Sequence, residues 1–291
     1  MGLRTVTRTQ VANQALKDGT VRPEGVELDF VEVDPLIGAF RQMVRADEYD
    51  VCELAFTTYL CAKEHGARFT ALPVFLVRGF HHGAVVARAS GEPKALEGRR
   101  VGVNRGYTVT TGVWARSVLA DEHGVDLDRV TWVLSGDEHV AEYEPPPNVV
   151  PLEPGRDLRE LLAAGELAAA IGVDGFEPLL ANAREAGFEA LRTRGHYPIN
   201  HLVVVRDELL EHAPAIFAAF EEAKNLYVAS GELEPLHERV REITGSDPLP
   251  YGLEPNLKML TDFCQDQYAQ KLVDTLVDPV AAFADYTRLA R

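Results

Sequence analysis

Short apolar runs alternate with helical patterns as far as Val205, and beyond it the alternation stops. "LRTVTRT" reads as a strand, followed by a short helix through "QVANQALKDG" that ends on Gly19. "VELDFVEV" alternates with period two and reads as a second strand. "DPLIGAFRQMVRADEY" opens with Asp-Pro, a good helix start, and sets Phe40, Met43 and Val44 on one face. "DVCELAF" predicts a third strand and "TTYLCAKEHG" a helix closed by Gly66. "FTALPVFLV" and "GAVVARA" predict further strands, with "RGFHH" between them.

A polar connection rich in Gly and Pro, "SGEPKALEGRR", separates this half from the next. There "VGVNRG" predicts a buried strand and turn, and "YTVTTGVWARSVLADEHG" an amphipathic helix. "VTWVLS" is a strand, "EYEPPPN" a loop, "RDLRELLAAGE" a helix and "LAAAIGV" another buried strand. The β-α alternation thus occurs twice, and the remainder reads as helices separated by Pro-rich turns. Two α/β lobes with mostly parallel sheets are expected: residues 1–92 plus 200–291 as lobe I, with a helical C-terminal segment, and 93–199 as lobe II. The strand-then-helix starts would aim C-terminal strand ends at a central ligand cleft.

Two segments repeat one motif across that division. "RGFHHGAVVAR" (Arg78 to Arg88) and "RGHYPINHLVVVR" (Arg194 to Arg206) each open on Arg-Gly, pass histidines and run apolar to an arginine. Both are expected to be crossings between the lobes, with their polar ends meeting in the cleft.

Charge narrows the partners. Lys+Arg number 29 and Asp+Glu 45, a net charge of −16, whereas nucleic acid or an anionic membrane needs a basic face. Neither is expected as a partner, but a local basic pocket for a small anion is compatible with an acidic protein. The three cysteines, Cys52, Cys61 and Cys264, are odd in number and lack paired metal spacing, which fits a reducing compartment. The polar N-terminal sequence and the lack of any apolar run of membrane-spanning length lead to the same expectation of a cytoplasmic location. No dinucleotide glycine motif, phosphate loop, His-Glu-x-x-His or Gly-x-Ser-x-Gly is present.

Several residues carry chemistry. Arg78 could grip a carboxylate through its planar fork, with His82 or His81 passing protons; the plainer reading is a surface ion pair beside two solvated histidines. His201, at the start of a Val-rich strand, is a second proton carrier or a satisfied strand-end histidine, and Asn200 and His196 are lesser candidates. "VNRGYTVTTGVW" sets Gly106, Tyr107, Thr108 and Thr110 where backbone N–H groups could hold an anion; ordinary N-capping is the alternative. Trp114 and Arg116 read as packing and a lobe-surface charge. Glu53, among apolar neighbours, could orient a histidine, take a phenol proton, pair with Arg78 or face outward, and Asp174 has a similar position in the second lobe. "SGDEHVAEYE" gathers Asp137, Glu138, His139 and Glu142 without a strong metal-ligand spacing, so no metal is expected and His139 is a substrate candidate. His65 and His123, each before a C-cap glycine, are structural.

"YDVCELAFTTYL", "ALPVFLVRGFHH", "LEGRRVGVNRGYTVTTGVWARSVLADEHGV", "VTWVLSG" and "YPINHLVVVRDELL" resemble the 4,5-dihydroxyphthalate decarboxylase family over most of residues 1 to about 210. The resemblance implies a type 2 periplasmic-binding-protein-like fold with the ligand between two lobes. It also implies non-oxidative loss of CO2 from a hydroxylated aromatic acid without an organic cofactor. Joined to the residues above, it gives His82, His201, Glu53 and Arg78 as the catalytic set. His81, Gly106, Tyr107, Thr108, Thr110, Asp174 and His139 then bind a small anionic aromatic substrate. A non-catalytic solute-binding protein for a small carboxylate, or another lyase on the same fold, are the competing readings. The helical tail fits either a cover for lobe I or the contact of a homo-oligomer.

Overall fold

The computed structural model describes residues 2–290, and the chain divides into two compact units. Unit 1 holds residues up to Arg78, then Ile199–Asp262 and from Val277 onward; unit 2 holds Gly79–Pro198 and Phe263–Leu276.

Unit 1 begins with β1 (Leu3–Val6), α1 (Gln14–Lys17), β2 (Leu28–Phe30), α2 (Ile37–Ala46), β3 (Val51–Ala55), α3 (Phe56–Glu64) and β4 (Phe69–Arg78). Every residue of β3 is buried, as its near-continuous apolar run requires of a central strand.

Unit 2 carries β5 (Val85–Ala87), β6 (Arg100–Val103), α4 (Thr110–Ser117), β7 (Thr131–Leu134), β8 (Val149–Pro151), α5 (Leu158–Ala164), β9 (Ala169–Ile171), β10 (Glu177–Pro178) and α6 (Ala183–Arg194). Its sheet has the order β10-β5-β9-β6-β7-β8. The α5 helix starts where the Asp157 carboxylate accepts the N–H groups of Arg159 and Glu160, at 2.8 and 3.1 Å. It stops at Gly165, whose φ of 78° is the left-handed conformation that glycine adopts without a Cβ clash. Leu158, Leu161 and Leu162 then pack against Val133, Leu167 and Ala170. Beyond α4 the helix widens into a π-turn, Val118–Glu122.

The chain re-enters unit 1 as β11 (Ile199–Arg206), followed by α7 (Ala213–Ser230), α8 (Pro235–Thr244), α9 (Leu257–Ala269) and α10 (Ala284–Leu289). The unit 1 sheet has the order β2-β1-β3-β11-β4.

Two expectations change. The sheets are mixed rather than mostly parallel: β11 runs antiparallel to both β3 and β4, and β5 antiparallel to β9. The reason is connectivity, because β4 leaves the sheet at Arg78 and β11 enters opposite that residue, at Ile199. A strand returning at the end where its neighbour left has to run the other way. The division also falls at Arg78/Gly79 rather than after residue 92, since β5 pairs with β9 and β10. Part of the helical tail belongs to unit 2, where Phe263 packs on Trp114 at 4.8 Å between ring centroids and Gln270 accepts from Arg116 at 2.7 Å.

Removing a fully buried leucine tests the packing of unit 2. Leu162→Ala should destabilise it by about 2–5 kcal/mol, read as a lower urea midpoint. Arg156→Ala, whose ion pair with Glu166 is exposed on both sides, should change the midpoint little.

Candidate active-site residues

In unit 1 the chemistry gathers around one carboxylate. Glu53 lies in the middle of β3 with 0% exposure, so both oxygens must find donors inside the protein. Oε2 accepts the Arg8 backbone N–H at 2.8 Å, and Oε1 lies 2.6 Å from His201 Nδ1. A carboxylate can only accept, so the His201 proton on this side sits on Nδ1. No other polar partner holds the ring's Nε2 among the described residues. Phe40 meets the His201 ring edge-on at 5.1 Å. The strand pairing explains why this histidine reaches back: the β11–β4 register shifts on both sides of His201. Such irregularities re-aim a side chain out of the regular alternation.

Arg78, the last residue of β4, is 7% exposed and is no surface charge. Its Nη2 donates to the Pro250 carbonyl at 3.1 Å and to the Asn256 amide oxygen. Asn256 is itself fixed, donating to the Pro250 and Gly252 carbonyls at 2.9 and 2.7 Å. Glu53 is therefore satisfied by His201 and Arg8, not by an ion pair with Arg78.

In unit 2 the two adjacent histidines are buried, His81 at 5% and His82 at 1% exposure, contrary to the solvated reading. His82 Nε2 lies 3.0 Å from Glu122 Oε1, and the same oxygen accepts from Arg194. Burial works against ionisation of Glu122, but the interactions with His82 and Arg194 prevail and hold its carboxyl down at about 2. His81 is stacked on Trp114 (6.5 Å, 19°); Trp114 also meets His196 edge-on, and His196 meets His82 at 6.0 Å. Burial first, then the neighbouring His196 and His82, depress His81 to about 3, so its ring is neutral at pH 7.

The turn at Gly106–Thr110 does hold an anion, but that anion is the protein's own. Glu138 receives the N–H groups of Tyr107 and Thr108, the latter at 3.1 Å, and the Thr108 hydroxyl at 2.6 Å. A Cβ on Gly106 would stand 2.6 Å from the Glu138 carboxyl carbon, so the close approach requires glycine. Beneath the turn lies Arg116 with 0% exposure, not a lobe-surface charge. It donates to the Tyr107 carbonyl at 2.8 Å and lies 3.7 Å from the centroid of that residue's ring. Burial lowers the Arg116 pKa, with Tyr107, Tyr143 and Glu138 acting in opposition. Thr110 opens α4 and is buried.

His139 is buried, whereas Asp174 is exposed on the turn after β9 without a hydrogen-bonded partner among the described residues. His65 and His123 precede glycines of positive φ, Gly66 and Gly124. Among the described residues no three His, Cys, Asp or Glu side chains converge as a metal-ligand set. Glu122, Arg194, Asn256 and the Arg8 amide escaped the sequence reading. Arg194 had a visible signal, since it opens the second Arg-Gly segment; Glu122 was hidden in an acidic helix end.

No protein-family model matches the chain. It is 31% identical over 304 residues to the 4,5-dihydroxyphthalate decarboxylase of Comamonas testosteroni, covering 92% of each chain. A protein of the same name from Pseudomonas putida is 35% identical over 183 residues, 59% of this chain and 70% of that one. Among solved structures, the periplasmic aliphatic sulphonate binding protein of Escherichia coli superposes with a TM-score of 0.53 at 14% identity, covering 97% and 96% of the two chains. The fold is accordingly periplasmic-binding-protein-like.

Two measurements follow from this geometry. Gly106→Ala must push the Glu138 carboxylate off the turn, stranding buried donors at a cost of about 1–3 kcal/mol in urea unfolding. The second concerns pH. The folded pKa of His81 lies below its unfolded value of about 6.5, so only the unfolded chain takes up this proton as pH falls. Stability is full above about 6.5 and is lost toward 3, roughly 2 kcal/mol from this group by pH 5. His81→Gln should flatten the fall in thermal melts.

Proposed function

This chain belongs to the 4,5-dihydroxyphthalate decarboxylase family and is a decarboxylase, and from that premise we propose that it removes CO2 from a hydroxylated aromatic acid without a cofactor. The observation that carries the reading is the buried Glu53–His201 pair: a carboxylate that fixes an imidazole by Nδ1 leaves Nε2 to exchange protons.

4,5-Dihydroxyphthalate illustrates the chemistry. Each of its carboxylates stands para to a ring hydroxyl. A base takes the proton of that hydroxyl, and the ring's electrons move toward the carbon bearing the carboxylate. An acid delivers a proton to this carbon, giving a cyclohexadienone. The bond to the carboxyl group then breaks, CO2 leaves, and its electron pair restores the aromatic ring as a phenolate, which regains its proton. One proton is consumed overall and the product is 3,4-dihydroxybenzoate. The substrate's own carbonyl serves as electron sink, the service an organic cofactor would otherwise supply.

His201 and His82 divide the two proton transfers. Glu53 orients His201 and, with both oxygens occupied, acts through it. Arg78 supplies positive potential for the carboxylates. At the Gly106–Thr110 turn, where Glu138 takes the Tyr107 and Thr108 donors, a substrate carboxylate has to displace Glu138. His81, neutral and apolar-packed, borders the ring. The substrate is held between the two lobes, a reading supported by the covalent placing of His81 and His82 three and four residues after Arg78, and of His196 five before His201, on the two crossings. Among the described residues no helix is long and apolar enough to cross a membrane, and the odd number of cysteines suits a reducing cytoplasm.

Turnover of 4,5-dihydroxyphthalate and a panel of hydroxybenzoates, followed by CO2 release and product chromatography, tests the reading. His82→Ala and His201→Ala should each lower kcat by about 10²–10⁴-fold, the usual worth of a general acid or base. Each ring is largely buried against a carboxylate, so each variant should also lose about 1–3 kcal/mol of stability, and kcat is compared at a temperature where the variant is folded. Binding of these acids without turnover would instead make the chain a carboxylate receptor.

A further inference from the structure

The proposed roles leave unexplained why the His82 ring stands as it does. The ring is 1% exposed, so its orientation is set by contacts and not by water. Nε2 faces Glu122 at 3.0 Å, and Nδ1 is buried without a hydrogen-bond partner among the described residues. A buried nitrogen left without a partner is costly and therefore calls for a bound group. The charged and titratable groups around the ring are Glu122, Arg194, His196 and His81. Of these Glu122 alone presents an anion.

Glu122 reaches this place through an irregularity. It ends the π-turn Val118–Glu122, where the helix beginning at Thr110 takes in extra chain. Such a turn rephases the residues after it and is often found at functional sites. Here it keeps Val118 and Leu119 buried, at 3% and 1% exposure, while Glu122 reaches His82. Arg194, at the end of α6, grips the same Glu122 oxygen from a half-exposed position.

We propose that Glu122 is a positioning residue for His82: it holds the imidazole with the Nε2–H on its carboxylate and presents Nδ1 as the nitrogen that handles the substrate's proton, while Arg194 fixes Glu122. This rests on the reading that His82 is catalytic. Arrangements in which an anion sets the tautomer of a working histidine lose activity when the carboxylate becomes an amide, because an amide can also donate and so accepts the wrong tautomer.

The experiment compares the full chain with Glu122→Gln and His82→Ala, using 4,5-dihydroxyphthalate as the probe. It reads kcat, KM, melting temperature and the ¹⁵N shifts of the His82 ring at a pH where the ring is neutral. For Glu122→Gln, kcat should fall by about 10²–10⁴-fold, the range of a general acid or base put out of action. KM and melting temperature should barely move, and the single Nε2–H tautomer of the parent should become a mixture. Unchanged turnover in Glu122→Gln, with His82→Ala inactive, overturns the positioning role alone. Unchanged turnover in His82→Ala overturns the underlying reading instead. Activity lost together with thermal stability, with the tautomer kept, reduces Glu122 to a structural contact and also overturns the proposal. Should Glu122→Gln not fold, the parent spectrum decides: a His82 ring protonated on Nδ1 is incompatible with the assignment, and one protonated on Nε2 bears it out.

Discussion

A carboxylate at the centre of a fully buried strand has to be answered by donors, and much of unit 1 is arranged around that demand. Glu53 interrupts the apolar run of β3. The end of β1 brings the Arg8 amide to one oxygen, and β11 brings His201 to the other. For β11 to do this it must lie next to β3 and carry its histidine out of the regular register, and the pairing has both properties. A charged group retained in such a place is expensive unless it serves something besides the fold. One oxygen orients the His201 imidazole and the other is answered by the Arg8 amide.

Unit 2 meets a comparable demand by another route. Its buried cation, Arg116, has neutral acceptors at the Tyr107 carbonyl and Gln270, and its charge is balanced across the turn by Glu138. The backbone donors of the turn and the guanidinium below it form one positive region, in which a carboxylate is already seated. The donors of this turn are therefore already engaged by the protein's own carboxylate.

How far the sequence could be read depended on the range of each signal. The alternation of apolar runs and helical patterns is local, and it located β3, α5 and the long C-terminal helices. Strand direction is not encoded in that periodicity, so the antiparallel course of β11 could not be seen. β8 and β10, three and two residues long and both containing proline, were too short to register. Glu53 and His201 stood out because each breaks an apolar stretch. Arg116 did not, because a single arginine on an amphipathic helix looks the same whether it faces water or Tyr107. Glu122 and Arg194 lie 72 residues apart and Glu122 and His82 40, distances over which a lone sequence carries no pairing information. The turn at Gly106 was legible as an anion holder; its occupant was not, since Glu138 is one acid among many in an acidic chain.

The position of β4 has a consequence for how the protein behaves in a crowded solution. This strand of ten residues is apolar almost throughout and forms one edge of its sheet. A bare edge of that kind recruits strands from other molecules. Here Pro73 removes one donor from the middle of the strand, and the Gly252 N–H takes the Pro73 carbonyl at 2.9 Å. Pro73 therefore offers a foreign strand neither a donor nor an unengaged acceptor. The same segment, Pro250 to Asn256, holds Arg78 at the strand's far end. One short stretch of chain thus both covers Pro73 and fixes Arg78, so a change that loosens it would show as self-association as well as a freed guanidinium.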